Sequence, residues 1–240
     1  KNPEGKYNSF SAYIDFVVNT YKVTVSAANH AGHYGVYAIQ AYVDAGNGMS
    51  AVAASLCYRF VPESALYEIV GSTGTSVAQM TAYYNAHATY PEFYQNSDAP
   101  TISDFCQLYI EECAAEGIKA EVAFCQAMKE TGFLKYGGAV NINQYNFAGI
   151  GATDDGGKPA TFGSVREGIR AQVQHLKAYA ATSELANPCV DPRFSLVTRG
   201  TAKYVEWLGI KENPNGKGWA SATNYGYSLR QDYIDKLFEQ

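Results

Sequence analysis

The chain has 240 residues, enough for one large domain or two smaller ones, and its hydrophobic content of 47% with 14% aromatics is that of a globular protein. Charged residues make up 17%, below the roughly 25% of ordinary soluble domains, and a net charge of −5 with a pI near 5.4 supplies no basic field for nucleic acid or an anionic membrane. A neutral polymer or a small molecule is the expected partner, and twenty tyrosines, each with an apolar face and a hydroxyl, suit contact with sugar rings.

Charges and glycines interrupt every apolar run well before it reaches about 18 residues, so no transmembrane helix and a soluble protein are expected. The chain begins at Lys1 without Met or a signal-peptide pattern, which reads as a mature form or an excised piece whose targeting segment is missing. Cys57, Cys106, Cys113, Cys125 and Cys189 show no CxxC spacing, indicating neither a zinc site nor a complete disulfide framework. Cys106 and Cys113 share a helical face with Phe105 and Tyr109 and read as buried thiols.

The first sixty residues follow a period of two. Tyr21, Val23 and Val25 alternate with polar residues, as do Tyr37, Ile39, Ala41 and Val43; Ala45-Gly46-Asn47-Gly48 supplies a tight connection to a third apolar run, Met49 to Phe60. A small antiparallel β module over residues 1–61 is expected. His30 and His33 sit in its loop without a carboxylate or thiol and make a poor metal site.

Beyond Val61-Pro62 the pattern becomes helical, so residues 62–240 are expected to form a second, mainly α domain. Val77, Met80 and Tyr84 recur at helical spacing; Thr101 and Asp104 have the spacing of a capping box before Phe105, Tyr109 and Cys113, with Gly117 as the stop. A further helix is expected from about Lys119 to Thr131. Ser164 and Glu167 open a long one with the stripe Val165, Ile169, Val173, Leu176 and Tyr179, and two more are expected at Ala202 to Leu208 and Tyr227 to Phe238. The fold class is therefore α+β, and no internal repeat is visible.

Chemistry concentrates where the Lys119 helix ends. Glu130 lies in its last turn, and a carboxylate among converging carbonyl groups feels a partial negative charge that raises its pKa, which suits a general acid; the plainer alternative is a solvated glutamate at a helix end. It is followed by the uncharged strip Gln144-Tyr145-Asn146-Phe147-Ala148-Gly149-Ile150-Gly151. Amides that bond hydroxyls and glycines that admit a substrate fit a saccharide cleft, while a tight connection in which Asn146 bonds neighbouring backbone explains the same residues.

At these residues the chain resembles the endo-β-N-acetylglucosaminidases of the bacterial autolysin and flagellar type, glycoside hydrolase family 73, of the lysozyme-like superfamily. The family's Ala-Gln-Ala, variable, hydrophobic, Glu, Ser or Thr, Gly element is similar to Cys125-Gln126-Ala127-Met128-Lys129-Glu130-Thr131-Gly132, with Cys125 and Lys129 as departures. Its Asn-x-Phe-Gly-Ile element resembles Asn146-Phe147-Ala148-Gly149-Ile150. Its C-terminal Tyr-Ala-Thr-Asp-Pro-x-Tyr segment resembles Gly218-Trp219-Ala220 with Tyr225, and the likeness extends from about Leu66 to Leu237.

The resemblance implies a mainly α lysozyme-like catalytic domain preceded by the small antiparallel β module. It implies a secreted or cell-wall-associated enzyme that cuts peptidoglycan glycan strands after N-acetylglucosamine. Glu130 would be the general acid, Gln144, Asn146 and Phe147 would line the cleft, and Trp219 and Tyr225 would contact the sugar. Asp154, Asp155 and Glu167 are the candidates for a second carboxylate, although Glu167 also stands where a capping box would place it. The substrate's own 2-acetamido oxygen is the third option. No metal or organic cofactor is required, nucleic acid and membrane insertion are not expected, and oligomeric state is not legible.

Tyr21-Lys22-Val23-Thr24-Val25 and Gly35-Val36-Tyr37 look similar to part of the β repeats beside Gram-positive wall hydrolases, which implies wall positioning, a spacer or a structural cap. The competing classes are a muramidase or lytic transglycosylase on the same fold, a non-catalytic glycan-binding module, and a cysteine peptidase using Cys125 and His175, although Cys125 lacks the helix N-terminus that would lower its pKa.

Overall fold

A computed structural model describes residues 35–42, 52–60, 65–152 and 157–240, the first two stretches by backbone only. The chain divides into two compact units, Lys1–Leu66 and Tyr67–Gln240. In the first, β1 (Gly35–Tyr42) pairs antiparallel with β2 (Val52–Phe60), Gly35 opposite Phe60 and Ile39 opposite Leu56, with a register shift at Ala41/Tyr42. The expected strand at Tyr21 to Val25, the His30–His33 loop and the Ala45–Gly48 turn lie outside the described residues.

The second unit is mainly helical, with little strand. Its helices begin where their caps dictate. Ser76 and Gln79 form a reciprocal capping box for α1 (Val77–Asn85), as Thr101 and Asp104 do for α2 (Ile102–Glu116), and Gly117 closes α2 in the left-handed conformation at φ 71°. Three residues later α3 (Ala120–Thr131) starts, its first amide donating to Thr73 Oγ1 at 3.0 Å. Ser164 caps α4 (Val165–Ala180), and Asp98 adds a second cap by accepting the Val165 and Arg166 amides at 2.9 Å each. The C-terminal helix is composite: α5 (Tyr225–Ser228), a π turn (Leu229–Ile234) and α6 (Asp235–Leu237).

The expected helix at Ala202 to Leu208 is a 3-10 turn confined to Val205–Leu208. Ala202, Val205 and Leu208 are all buried and recur every three residues, which is the 3-10 period rather than 3.6. Similarly, the buried pair Leu229 and Ile234 stands five apart, the spacing of the π turn they bracket.

The core is aromatic. Tyr83, Tyr84, Tyr94, Phe105, Tyr109, Phe124 and Phe147 are fully buried, and Phe105 meets Tyr109 and Phe147 edge to face with centroids 5.2 and 5.1 Å apart. Each such ring removed from water stabilises the fold by about 1.5–3 kcal/mol. Helix α3 is buried from Ala120 to Met128, so the three polar side chains it buries must find partners. Glu121 accepts the Tyr67 hydroxyl at 2.7 Å and the Gly74 amide at 3.1 Å; Gln126 and Thr131 belong to the site described below. Glu112 joins α2 to α4 through Arg166 and Arg170, both at 2.8 Å, and Glu116 does so through Lys177 at 2.8 Å. Among the described residues, no helix is long and apolar enough to cross a membrane.

Candidate active site

Helix α3 carries Glu130 to one end of the core and then stops abruptly. Gly132, Phe133 and Leu134 all adopt left-handed φ, at 59°, 57° and 60°. For the two non-glycine residues this costs on the order of 1–2 kcal/mol each, so the surroundings must hold them. Thr131 Oγ1 donates to Ala127 O at 2.7 Å and accepts the Leu134 amide at 2.9 Å, while the Phe133 ring stacks on His87 with centroids 4.4 Å apart and planes 3° from parallel.

The Glu130 carboxyl is reachable and crowded together. More than a third of the residue's surface is open to solvent, yet surrounding protein desolvates the carboxyl enough to raise its pKa above the ordinary value. The Tyr225 hydroxyl donates to Glu130 Oε1, and this bond, with the charge of Lys129, opposes the rise. Desolvation by the surrounding protein is the largest cause of the rise.

Lys129 is itself fixed. Its Nζ donates to Ser228 Oγ at 2.9 Å and lies over the Tyr225 and Tyr233 rings at 5.5 and 5.3 Å. Tyr233 in turn stacks on Phe133 at 6.0 Å. Behind Tyr225 runs a buried series of amides: Gln126 Nε2 donates to the Tyr225 hydroxyl at 3.2 Å, Gln172 Nε2 to Gln126 Oε1 at 3.0 Å, and Tyr109 to Gln172 Oε1 at 2.7 Å.

The strip after Glu130 is placed differently from a ligand-facing wall. Asn146 is fully buried, and its amide bonds the Ile150 and Ala160 carbonyls at 2.8 and 3.0 Å while its oxygen accepts the Ile150 and Ala148 amides at 2.9 and 3.4 Å. Its hydrogen-bonding capacity is spent on the loop. Phe147 is likewise buried, against Phe105 and Tyr94. Gln144 is half-buried, donating to Pro159 O at 3.2 Å and accepting the Asn141 amide at 2.7 Å. The strip is seated on α4 at Gly168, where any Cβ would strike the Tyr145 carbonyl.

Trp219 is half-buried, tethered by its amide to Leu208 O at 2.7 Å and packed edge to face on His175 at 4.8 Å. Tyr225 is 6% exposed, so its hydroxyl is committed to Glu130 and Gln126. Ser164 Oγ accepts the Glu167 amide at 3.1 Å and caps α4, while the Glu167 carboxylate reaches one residue past the cap to accept the Gly163 amide at 2.5 Å, in place of the Ser164 amide that a capping box would use. Asp154 and Asp155 lie outside the described residues. The pair imagined for a peptidase is not assembled: burial pushes the Cys125 thiol well above its ordinary pKa, and His175 Nδ1 is paired with Asp191 at 2.7 Å. Cys106 and Cys113 are buried free thiols, as their spacing suggests. No group of three or more potential metal ligands occurs among the described residues.

Sequence reading missed Gln126, Gln172, Tyr109 and Tyr233 as neighbours of the carboxyl. The available signal was Gln126 itself, a polar residue on an apolar helix face one turn before Glu130.

Comparison with known proteins converges on the same region. Residues 106–239, more than half of the chain, match the glucosaminidase family, described as mannosyl-glycoprotein endo-beta-N-acetylglucosaminidase. A protein of Borreliella burgdorferi, described as uncharacterized, is 38% identical over 140 residues. That similarity covers 58% of this chain and 65% of the relative, just under two thirds of its length. Glu130, the helix that carries it and the Tyr225 that holds it all fall inside the matched residues, and the chain belongs to the glucosaminidase family of glycoside hydrolases.

Proposed function

We propose that this chain cleaves the β-1,4 bond after N-acetylglucosamine in peptidoglycan glycan strands, with Glu130 as the general acid. The observation that carries the reading is a solvent-reachable carboxyl whose surroundings favour its protonated form and whose Oε1 is held by the Tyr225 hydroxyl. A raised pKa keeps more of the group protonated at a given pH than an ordinary glutamate would be, so that a proton is available to a glycosidic oxygen. As the bond to the anomeric carbon breaks, its electron pair goes to the departing oxygen, that oxygen receives the Glu130 proton, and the new carboxylate is stabilised by Tyr225 and Lys129.

Charge developing at the anomeric carbon needs a second group. Glu167 is engaged with the Gly163 amide beside the α4 cap, which favours either the substrate's 2-acetamido oxygen, closing onto the anomeric carbon before water reopens the ring, or Asp154 or Asp155. The chemistry needs no metal. This substrate would place the protein outside the cytoplasm, secreted or wall-associated, with residues 1–61 as a wall-positioning element or spacer.

The test is to digest purified peptidoglycan and identify the new ends by mass spectrometry. Reducing N-acetylglucosamine is expected. N-acetylmuramic acid or anhydro ends would reassign the chain to the muramidases or lytic transglycosylases, and no product would leave a glycan-binding module.

A further inference from the structure

The amides behind Tyr225 are directed, and a backbone group sets the direction. Gln172 Nε2 lies 2.8 Å from the Ala123 carbonyl, which can only accept, so the NH2 of Gln172 must face it. The second proton of that NH2 goes to Gln126 Oε1 at 3.0 Å, leaving Gln172 Oε1 to accept from Tyr109 at 2.7 Å. Gln126, with its oxygen committed, presents its NH2 to the Tyr225 oxygen at 3.2 Å. Tyr225 thereby receives a proton from behind and has its own left for Glu130 Oε1.

Gln126 and Gln172 are fully buried, as is Tyr109, so water does not scramble this order. The contacts also span the fold. Tyr109 comes from α2, Gln126 from α3, Gln172 from α4 and Tyr225 from α5, which means four helices are tied to the orientation of one hydroxyl.

We propose that Gln126, Gln172 and Tyr109 are positioning residues that act through Tyr225 to keep Glu130 Oε1 an acceptor in both protonation states, so that the transferable proton resides on Oε2. Tyr225 is already a donor to Oε1 with its oxygen occupied by Gln126, so a proton on Oε1 would face an oxygen that is already receiving one. On Oε2 the proton meets no such conflict. In the transfer step the Oε2–H bond breaks, the proton passes to the glycosidic oxygen, and the carboxylate that remains is still held at Oε1. The proposal rests on Glu130 being the acid.

The charged and titratable groups around the carboxyl are Lys129 on α3, Tyr225 on α5 and Tyr233 on the π turn, the last also facing Asp232. The test leaves all charges among them unchanged. The pH dependence of kcat on solubilised peptidoglycan strands would be measured for the full chain, Tyr225→Phe, Gln126→Met and the double variant. A general acid must be protonated to work, so activity falls as pH rises through its pKa, and loss of the donated hydrogen bond moves that alkaline limb upward.

Tyr225→Phe is expected to move the limb to higher pH. Gln126→Met should move it the same way by less, lowering kcat about fivefold, the worth of one net hydrogen bond. The double variant should move it no further than Tyr225→Phe, because Gln126 acts only through that hydroxyl. A limb unmoved in Gln126→Met, or shifts that add in the double variant, would overturn the proposal. If Gln126→Met does not fold, Tyr109→Phe removes one hydroxyl at the far end and carries the same comparison, with an unmoved limb again overturning it. Retained activity in Glu130→Gln would instead reject the general-acid reading itself, which keeps the two failures distinguishable.

Discussion

Two groups of uncharged amides flank the core, and they put their hydrogen bonds to opposite uses. Gln126 and Gln172 meet across α3 and α4 and direct their donors toward the Glu130 carboxyl through Tyr225. Asn146 and Gln144 turn theirs inward on the loop that carries them, so that Asn146 has no polar valence left for a ligand. Side chains of the same chemistry thus serve reactivity in one place and backbone satisfaction in the other. What separates them is whether the last acceptor in the series is a carbonyl or a group that can change its protonation.

The largest effect expected from this contrast is on rate. Glu130→Gln keeps the size of the side chain and removes its proton, and it should lower the rate of reducing-end release by about a thousandfold, within the range for loss of a general acid, with an unchanged melting temperature. Asn146→Ala should do the reverse. Without its amide the Ile150 N–H and Ala160 carbonyl lose a buried partner, so denaturant unfolding should show a loss of about 2–4 kcal/mol, while the alkaline limb of activity in the folded fraction stays in place. A shifted limb in Asn146→Ala would erase the distinction between the two groups.

Glu167 sharpens the comparison at lower amplitude. Glu167→Gln preserves a side chain able to cap α4 and should retain the rate within about twofold, whereas Glu167→Ala should cost about 1 kcal/mol of stability through the lost cap. A rate collapse in Glu167→Gln with stability intact would make it the second catalytic carboxylate. The smallest effect is expected at Lys129, whose charge lowers the Glu130 pKa: in Lys129→Met the alkaline limb should move to higher pH, a shift read from the same rate profile, and a downward move would contradict the assigned electrostatics.

Much of this architecture is legible in the sequence because local chemistry declares it. Thr101 with Asp104, Gly117, and Ser164 with Glu167 mark helix ends by donors and acceptors that close within four residues. Glu130 is legible for the same reason, as a carboxylate between an apolar helix and a glycine. The π turn and the 3-10 turn at Val205–Leu208 are harder to read, since spacings of five and three residues resemble a helical period sampled imperfectly. The amide series was not legible at all. Periodicity places Gln126 and Gln172 inward on their helices, but they lie 46 positions apart and nothing local says that they meet. Asn146 shows the converse limit: its neighbours suggested a cleft, and the tertiary fold used it to close a loop.

The most direct test is a titration of the Glu130 carboxyl by NMR in protein carrying 13C-labelled glutamate, set beside the pH dependence of kcat/KM. The account predicts that Glu130 titrates above the ordinary carboxylate value of 4.5, that the alkaline limb of kcat/KM falls at the same pH, and that both rise together in Tyr225→Phe. A Glu130 that titrates at or below the ordinary value, or a limb that follows some other group, would contradict it.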